Sequence, residues 1–200
     1  MDVTTNNTKS KVNIRLLVGT GMLSGLAFVL QYLEFPIPIM PGFIKFDFSD
    51  LPALIGAFAY GPLAGVIVEF IKNLLHCTVT QSFTVGELSN FILSCCLVIP
   101  AGIIGRKINT YKGAVIGCVV GSIVMALLSI VSNYFLVYPI YENIMPIEAI
   151  INMYKEINPN VNGLLECLIV FNCPFTLIKG LVASVLCMPL YKVLIIQLND

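Results

Sequence analysis

Residues 51–76 read LPALIGAFAYGPLAGVIVEFIKNLLH, and the way this run divides decides the topology. Taken whole, it is long enough for a single membrane span. Tyr60-Gly61-Pro62 sits in its middle, however, and a proline inside a helix removes a backbone hydrogen bond and clashes with the preceding turn. A cut there predicts two short spans, 49–60 and 62–77, joined by a tight turn. Working outward, further apolar runs predict spans at 13–33, 85–105, 113–138 and 163–191, the last interrupted by Pro174. Residues 1–12 are polar and form a cytoplasmic tail in this reading, ahead of a retained first helix too long for a signal-peptide core. The fold class expected is therefore an all-α membrane bundle of six transmembrane helices, one domain over residues 1–200.

Charge distribution favours six spans over five. With six, Lys9, Lys11, Arg15, Arg106, Lys107, Lys112 and Lys192 share the cytoplasmic side, and both termini lie there. The outer segments then hold only Lys45 and Lys155 among bases, but Glu34, Asp47, Asp50, Glu87, Glu142, Glu148, Glu156 and Glu166 among acids. With five spans, the Arg106–Lys112 loop would face outward. The first outer connection, 34–48, is stiffened by Pro36, Pro38 and Pro41. The last, 139–162, is long, and a surface helix is expected near Ile147–Ile157.

Composition sets the same environment independently. Of 200 residues, 58% are hydrophobic and 11% charged, with no net charge, more apolar surface than one soluble core hides. No basic excess exists to neutralise phosphates, which excludes nucleic acid as a partner. The seven cysteines lie mostly in apolar runs without a CxxC pair and read as small buried or lipid-facing residues, with no metal site implied. His76 is the single histidine, so HExxH cannot occur, and no GxxxxGK[ST] is present. The chain is not read as an enzyme, and uphill transport driven by ATP would need another subunit to hydrolyse it.

Ionisable groups inside a membrane are costly and so mark function or pairing. Glu69 and Lys72, three residues apart, share a helical face that Asn73 and His76 extend, and they serve either as a structural pair or as ligand contacts. Lys179 has no acid within four positions and lies deep in the last span, with Asn172 on the same face, which suits a lysine facing a ligand oxygen. Asn133 suits either an interhelical hydrogen bond or a ligand. Asp50, or Ser49 beside it, is expected to cap the second helix. Asp47 ends the proline-rich loop beside Lys45 and Phe46. Gly21 with Gly25, and Gly113 with Gly117 and Gly121, form two ladders of small residues that admit close helix approach; one is expected inside the domain and the other free for a partner.

The run KFDFSDLPALIGAFAYGPLAGVIVEFIKNLLH at 45–76 resembles the substrate-binding S components of energy-coupling factor (ECF) transporters, and most of all their riboflavin-specific branch, the RibU family. NYFLVYPIY at 133–141 and NCPFTLIKG at 172–180 resemble the same branch. The resemblance implies a high-affinity vitamin-binding subunit in the bacterial cell membrane, with a pocket open to the outside and covered by the first outer loop. It implies riboflavin as transported ligand, with flavin mononucleotide a further candidate, and no cofactor. It implies as partners a transmembrane coupling protein (EcfT) and two ATPase subunits. By position it implies Asn133 and Lys179 as ligand contacts, with Asn172, Phe43, Lys45, Phe46 and Asp47 as further candidates, and Gly21 and Gly25 as the docking surface for the coupling protein. These glycines stand where the family usually has alanines. Other vitamins on the same scaffold and a stand-alone carrier are the alternatives.

Overall fold

The computed structural model describes residues 14–79, 84–143 and 145–198, with side chains to Lys192. The expected cytoplasmic tail, with Lys9 and Lys11, lies outside the described residues. The chain runs α1 (Ile14–Tyr32), a two-stranded hairpin β1 (Phe35–Pro36) and β2 (Lys45–Phe46), α2 (Asp50–Tyr60), α3 (Pro62–His76) and α4 (Val85–Ile108). It continues through α5 (Tyr111–Ser132), α6 (Tyr138–Tyr141), α7 (Ile147–Ile157), α8 (Leu164–Cys167) and α9 (Cys173–Leu198). Among the described residues, four helical stretches are long and apolar enough to cross a membrane: Ile14–Tyr32, Val85–Ile108, Tyr111–Tyr141 and Leu164–Lys192.

The break in residues 51–76 falls where the proline argument puts it. Gly61 takes φ 114°, a conformation closed to most L-residues, and its N–H still reaches the Ala57 carbonyl, closing α2. Pro62 then opens α3 at the position where its missing N–H costs nothing. A side chain at position 61 would also collide with the Arg106 guanidinium, so the turn is held tight from the α4 end.

Two prolines act differently. Pro139 and Pro174 do not end their helices; each follows a turn of π-helix, Asn133–Val137 and Leu168–Asn172, on which the helix continues. The wider turn shifts the bonding register, so that the Tyr138 N–H reaches Asn133 and the Cys173 N–H reaches Leu168. Such a turn relieves the ring–carbonyl clash that a proline creates, and it recurs at functional sites. The expected interruption at Pro174 is thus a bulge within a continuous rod. The fifth rod likewise runs beyond 138, to Tyr141.

α5 packs closely on α4 and α9, while α3 lies between α1, α2 and α4. Gly117 and Gly121 make the α4–α5 approach possible: a Cβ at either would press on the backbone of Ala101 or Leu97. The 113–121 ladder is therefore the intramolecular one. A Cβ at Gly21 or Gly25 would meet nothing within 4 Å, so that ladder is open. The opposite face of α1, Thr20, Ser24, Ala27 and Gln31, is buried. The main core gathers Leu54, Phe58, Val68, Leu97, Val98 and Met125; a second cluster forms around Tyr138, Ile150, Tyr154, Cys167 and Leu168, capped by amphipathic α7.

Candidate functional site

The hairpin, the N-terminal part of α4, the two π-turns and α9 enclose a cavity of about 520 Å³. That volume lies within the range of small-molecule sites. Its walls include Phe43, Lys45, Asp47, Asn133, Asn172 and Lys179, so six of the seven ligand-contact candidates converge although they are far apart in sequence. Phe46 is not part of the wall. It is buried under the hairpin, its ring edge-on to Phe48 and Phe175 and tilted against Phe35.

Lys179 is not left to a ligand alone. Its Nζ donates to Asp47 Oδ2 at 2.8 Å and to Asn90 Oδ1 at 3.0 Å, with Asp50 Oδ2 at 3.8 Å. The partner that helical spacing failed to supply is thus 132 residues away, at the end of the outer loop. Burial is the strongest single influence on the Asp47 carboxyl and pushes it up, but the Lys179 and Lys72 ammonium groups and the hydrogen bond from Lys179 together hold it below the ordinary carboxylate range. Asp47 Oδ1 meanwhile accepts from the backbone N–H and the hydroxyl of Ser49. The capping expectation at Asp50 and Ser49 is therefore corrected. Neither side chain caps α2, because both are held by a lysine from α3, and Asp47 takes the Ser49 N–H instead.

That lysine is Lys72, with no exposed surface. Its Nζ lies 2.6 Å from Ser49 Oγ, 2.8 Å from Asp50 Oδ1 and 2.7 Å from Glu69 Oε2. Two of these are hydrogen bonds, to Ser49 and Asp50, while the Glu69 contact is an ion pair off-line for a hydrogen bond. The Glu69–Lys72 pair is thus structural, extended by Asp50, which also accepts from Ser94 Oγ at 2.6 Å. Neither Glu69 nor Lys72 reaches the cavity wall.

The polar wall was only partly visible in sequence. Asn90 and Gln31 were not singled out, yet both line the cavity and both donate to Asn73 Oδ1 at 3.2 Å. Gln31 Oε1 is buried without a protein hydrogen-bond partner among the described residues. Spacing could have found them: Thr20, Ser24 and Gln31 repeat along one face of α1, and Glu87, Asn90 and Ser94 along one face of α4. Asn133 accepts from Ser89 Oγ at 3.3 Å, which directs its amide N–H₂ elsewhere. Asn172 accepts from Tyr154 Oη at 2.6 Å. Tyr154, from α7, is fully buried, and burial pushes its phenol well above the ordinary value, so it stays a donor. Both asparagines ride on the π-turns that precede Pro139 and Pro174.

A helical membrane bundle with a largely apolar cavity that carries a few polar groups and is roofed by a loop defines a small-molecule-binding membrane protein. The chain belongs to the family of substrate-specific components of ECF transporters, whose model matches residues 15–191. It is an integral membrane protein and, as a transporter component, not an enzyme. It is 35% identical over 189 residues to the riboflavin transporter RibU of Staphylococcus aureus (strain TCH60), covering 93% of this chain and 95% of that one. It is 36% identical over 177 residues to the riboflavin transporter FmnP of Bacillus subtilis (strain 168), covering 87% and 88%. Among solved structures, the S component of a bacterial ECF transporter superposes with a TM-score of 0.74 at 32% identity, covering 94% of this chain and 99% of that one.

Proposed function

We propose that this chain captures riboflavin at the outer face of the membrane and hands it to a separate energy-coupling module. The observation that carries the reading is the cavity: apolar and aromatic walls from Phe43, Leu93, Met125 and Phe175, with amides and an ammonium placed among them. A flat tricyclic ring fits such walls, and its carbonyls and ring nitrogens match Asn133, Asn172 and Lys179. The similarity to two riboflavin transporters supports the same ligand. In this reading the bundle has six spans, α2 and α3 being two of them, and both termini are cytoplasmic, as the charge bias favours. The ATP is hydrolysed by two partner ATPases, coupled through a transmembrane protein that docks on Gly21 and Gly25. Purification from flavin-containing cells tests the ligand directly. The preparation should show flavin absorption, and a colourless protein that fails to quench added riboflavin would end the assignment.

Lys179→Met should weaken riboflavin binding roughly ten- to a hundredfold, the value of a charge-assisted hydrogen bond. It should also lower the unfolding temperature, because Asp47 loses its ammonium. Lys179→Met with Asp47→Asn should recover the temperature but not the affinity. Fluorescence titration beside thermal unfolding separates the two, and unchanged affinity in Lys179→Met would reject the contact.

The hairpin should act as a lid. Phe43 already touches the rings of Tyr141 and Tyr154, and Lys45 pairs with Glu34 across the strands. Pro36, Pro38 and Pro41 reduce the entropy lost on closing. Amide exchange over residues 43–48 should slow when riboflavin is added. Equal protection in its presence and absence would count against a lid.

A further inference from the structure

Tyr138, Tyr154 and Asn172 come from three different elements and form one hydrogen-bonded chain. The Tyr138 and Tyr154 hydroxyls are 2.7 Å apart, and Tyr154 Oη donates to Asn172 Oδ1 at 2.6 Å. Each phenol has a single proton. Since Tyr154 spends its proton on Asn172, Tyr138 must donate to Tyr154, and both protons are then committed. The chain ends on Asn172 Oδ1, which turns the amide oxygen toward Tyr154 and leaves the N–H₂ group as the donor the amide can offer a ligand. All three residues are buried, with Tyr154 at 0%, Tyr138 at 2% and Asn172 at 6% exposure. Asn172 and Tyr138 line the cavity, whereas Tyr154 stands behind them on α7.

We propose that Tyr154 is a positioning residue for ligand recognition, which fixes the Asn172 amide so that the cavity presents a donor to an acceptor atom of the ligand, a carbonyl or ring nitrogen. α7 is thereby part of the binding machinery although its own side chains leave the wall to others. Its amphipathic face buries Ile150 and Tyr154 one turn apart, while Glu148 and Glu156 remain exposed. The Tyr154 ring is packed by Phe43 of the hairpin and by Phe171, with centroids at 6.4 and 5.2 Å. The aromatic contacts hold the ring, and the hydroxyl sets the amide.

This inference rests on riboflavin as the ligand, and a double-mutant cycle read by riboflavin fluorescence quenching tests it. Tyr154→Phe keeps the ring and removes the hydroxyl, both the donor to Asn172 and the acceptor of the Tyr138 proton; affinity should fall roughly tenfold. Asn172→Ala should lose at least as much, and adding Tyr154→Phe to it should cost nothing further, because the amide to be oriented is gone. A merely structural tyrosine would instead lower affinity by the same factor in both backgrounds, and that result would overturn the proposal, as would unchanged affinity in Tyr154→Phe. Asn172→Asp supplies an independent arm: it still accepts from Tyr154 but has no N–H₂, so it should bind as poorly as Asn172→Ala. Wild-type affinity in Asn172→Asp would overturn the donor role. Wild-type protein that fails to quench riboflavin would overturn the functional reading itself, a result distinct from any of these.

Discussion

Gly25→Leu is expected to abolish ATP-driven riboflavin uptake while leaving riboflavin binding by the purified protein nearly unchanged. Gly21 and Gly25 lie about one turn apart on α1, and neither would bring a Cβ within 4 Å of another part of the chain. The surface around them is apolar, with Leu17, Val18, Met22 and Val29 each more than half exposed. Two glycines there make a shallow groove in which a partner helix can reach backbone contact, and a leucine fills it. Lipid is as apolar as the leucine, so the protein alone is indifferent to the change. The cavity residue nearest in sequence is Gln31, on the buried face of the same helix, and the amides lie on other helices. Without a nucleotide-binding loop of its own, a chain that cannot dock has no energy source. Uptake in cells beside titration of purified protein decides the matter. Loss of both would mean that Gly25 packs internally, and loss of neither would leave the docking face unsupported.

Lys72→Met is expected to destabilise the protein by about 3–5 kcal/mol, the cost of stranding a buried charge by removing its partner. Here Glu69, at 0% exposure, is stranded, Asp50 keeps only the more distant Lys179 at 3.8 Å, and Ser49 loses a donor as well. Among the described residues Lys72 is the cation paired with Glu69, since Lys179 pairs with Asp47 and Asp50 instead. The change should appear as a large drop in unfolding temperature in detergent. Replacing the group together, Lys72→Met with Asp50→Asn and Glu69→Gln, should restore much of the loss, because it is the unpaired charge that costs most. A single Lys72→Met variant as stable as wild type would show that the cluster carries little of the fold's stability.

Within this cluster lies a contrast between the two lysines. Lys72 donates to Ser49 and Asp50 and is ion-paired with Glu69, and it stands outside the cavity wall. Lys179 donates to two groups only, Asp47 and Asn90, and it lines the cavity. An ammonium with three protons and two hydrogen-bond partners can still donate once. A place on the cavity wall, rather than the charge itself, separates a lysine available to a ligand from a structural one.

Much of this architecture was legible in residue order because its causes are local. A proline without an N–H and a glycine free to take positive φ must part α2 from α3 wherever the chain folds. Long apolar runs must meet lipid, and alternating polar and apolar residues at 147–157 make a helix that lies on a surface. Asn133, Asn172 and Lys179 were candidates because polar groups within apolar runs need partners. Who those partners are depended on tertiary structure. Asp47 is 132 residues from Lys179, and neither helical periodicity nor proximity along the chain connects them. The same limit misplaced the capping of α2: Asp50 has the chemistry of a cap, but Lys72 binds its carboxylate more strongly than a backbone N–H would. The two glycine ladders share one spacing, and only the positions of Ala101 and Leu97 make one of them internal. Tyr154 carried no signal at all, since a tyrosine on an amphipathic helix is ordinary until folding brings Asn172 within 2.6 Å of its hydroxyl. Backbone chemistry and hydropathy act within a few residues and can be read in order; ion pairs, close packing and relayed hydrogen bonds act across space, and the assembled bundle alone sets them.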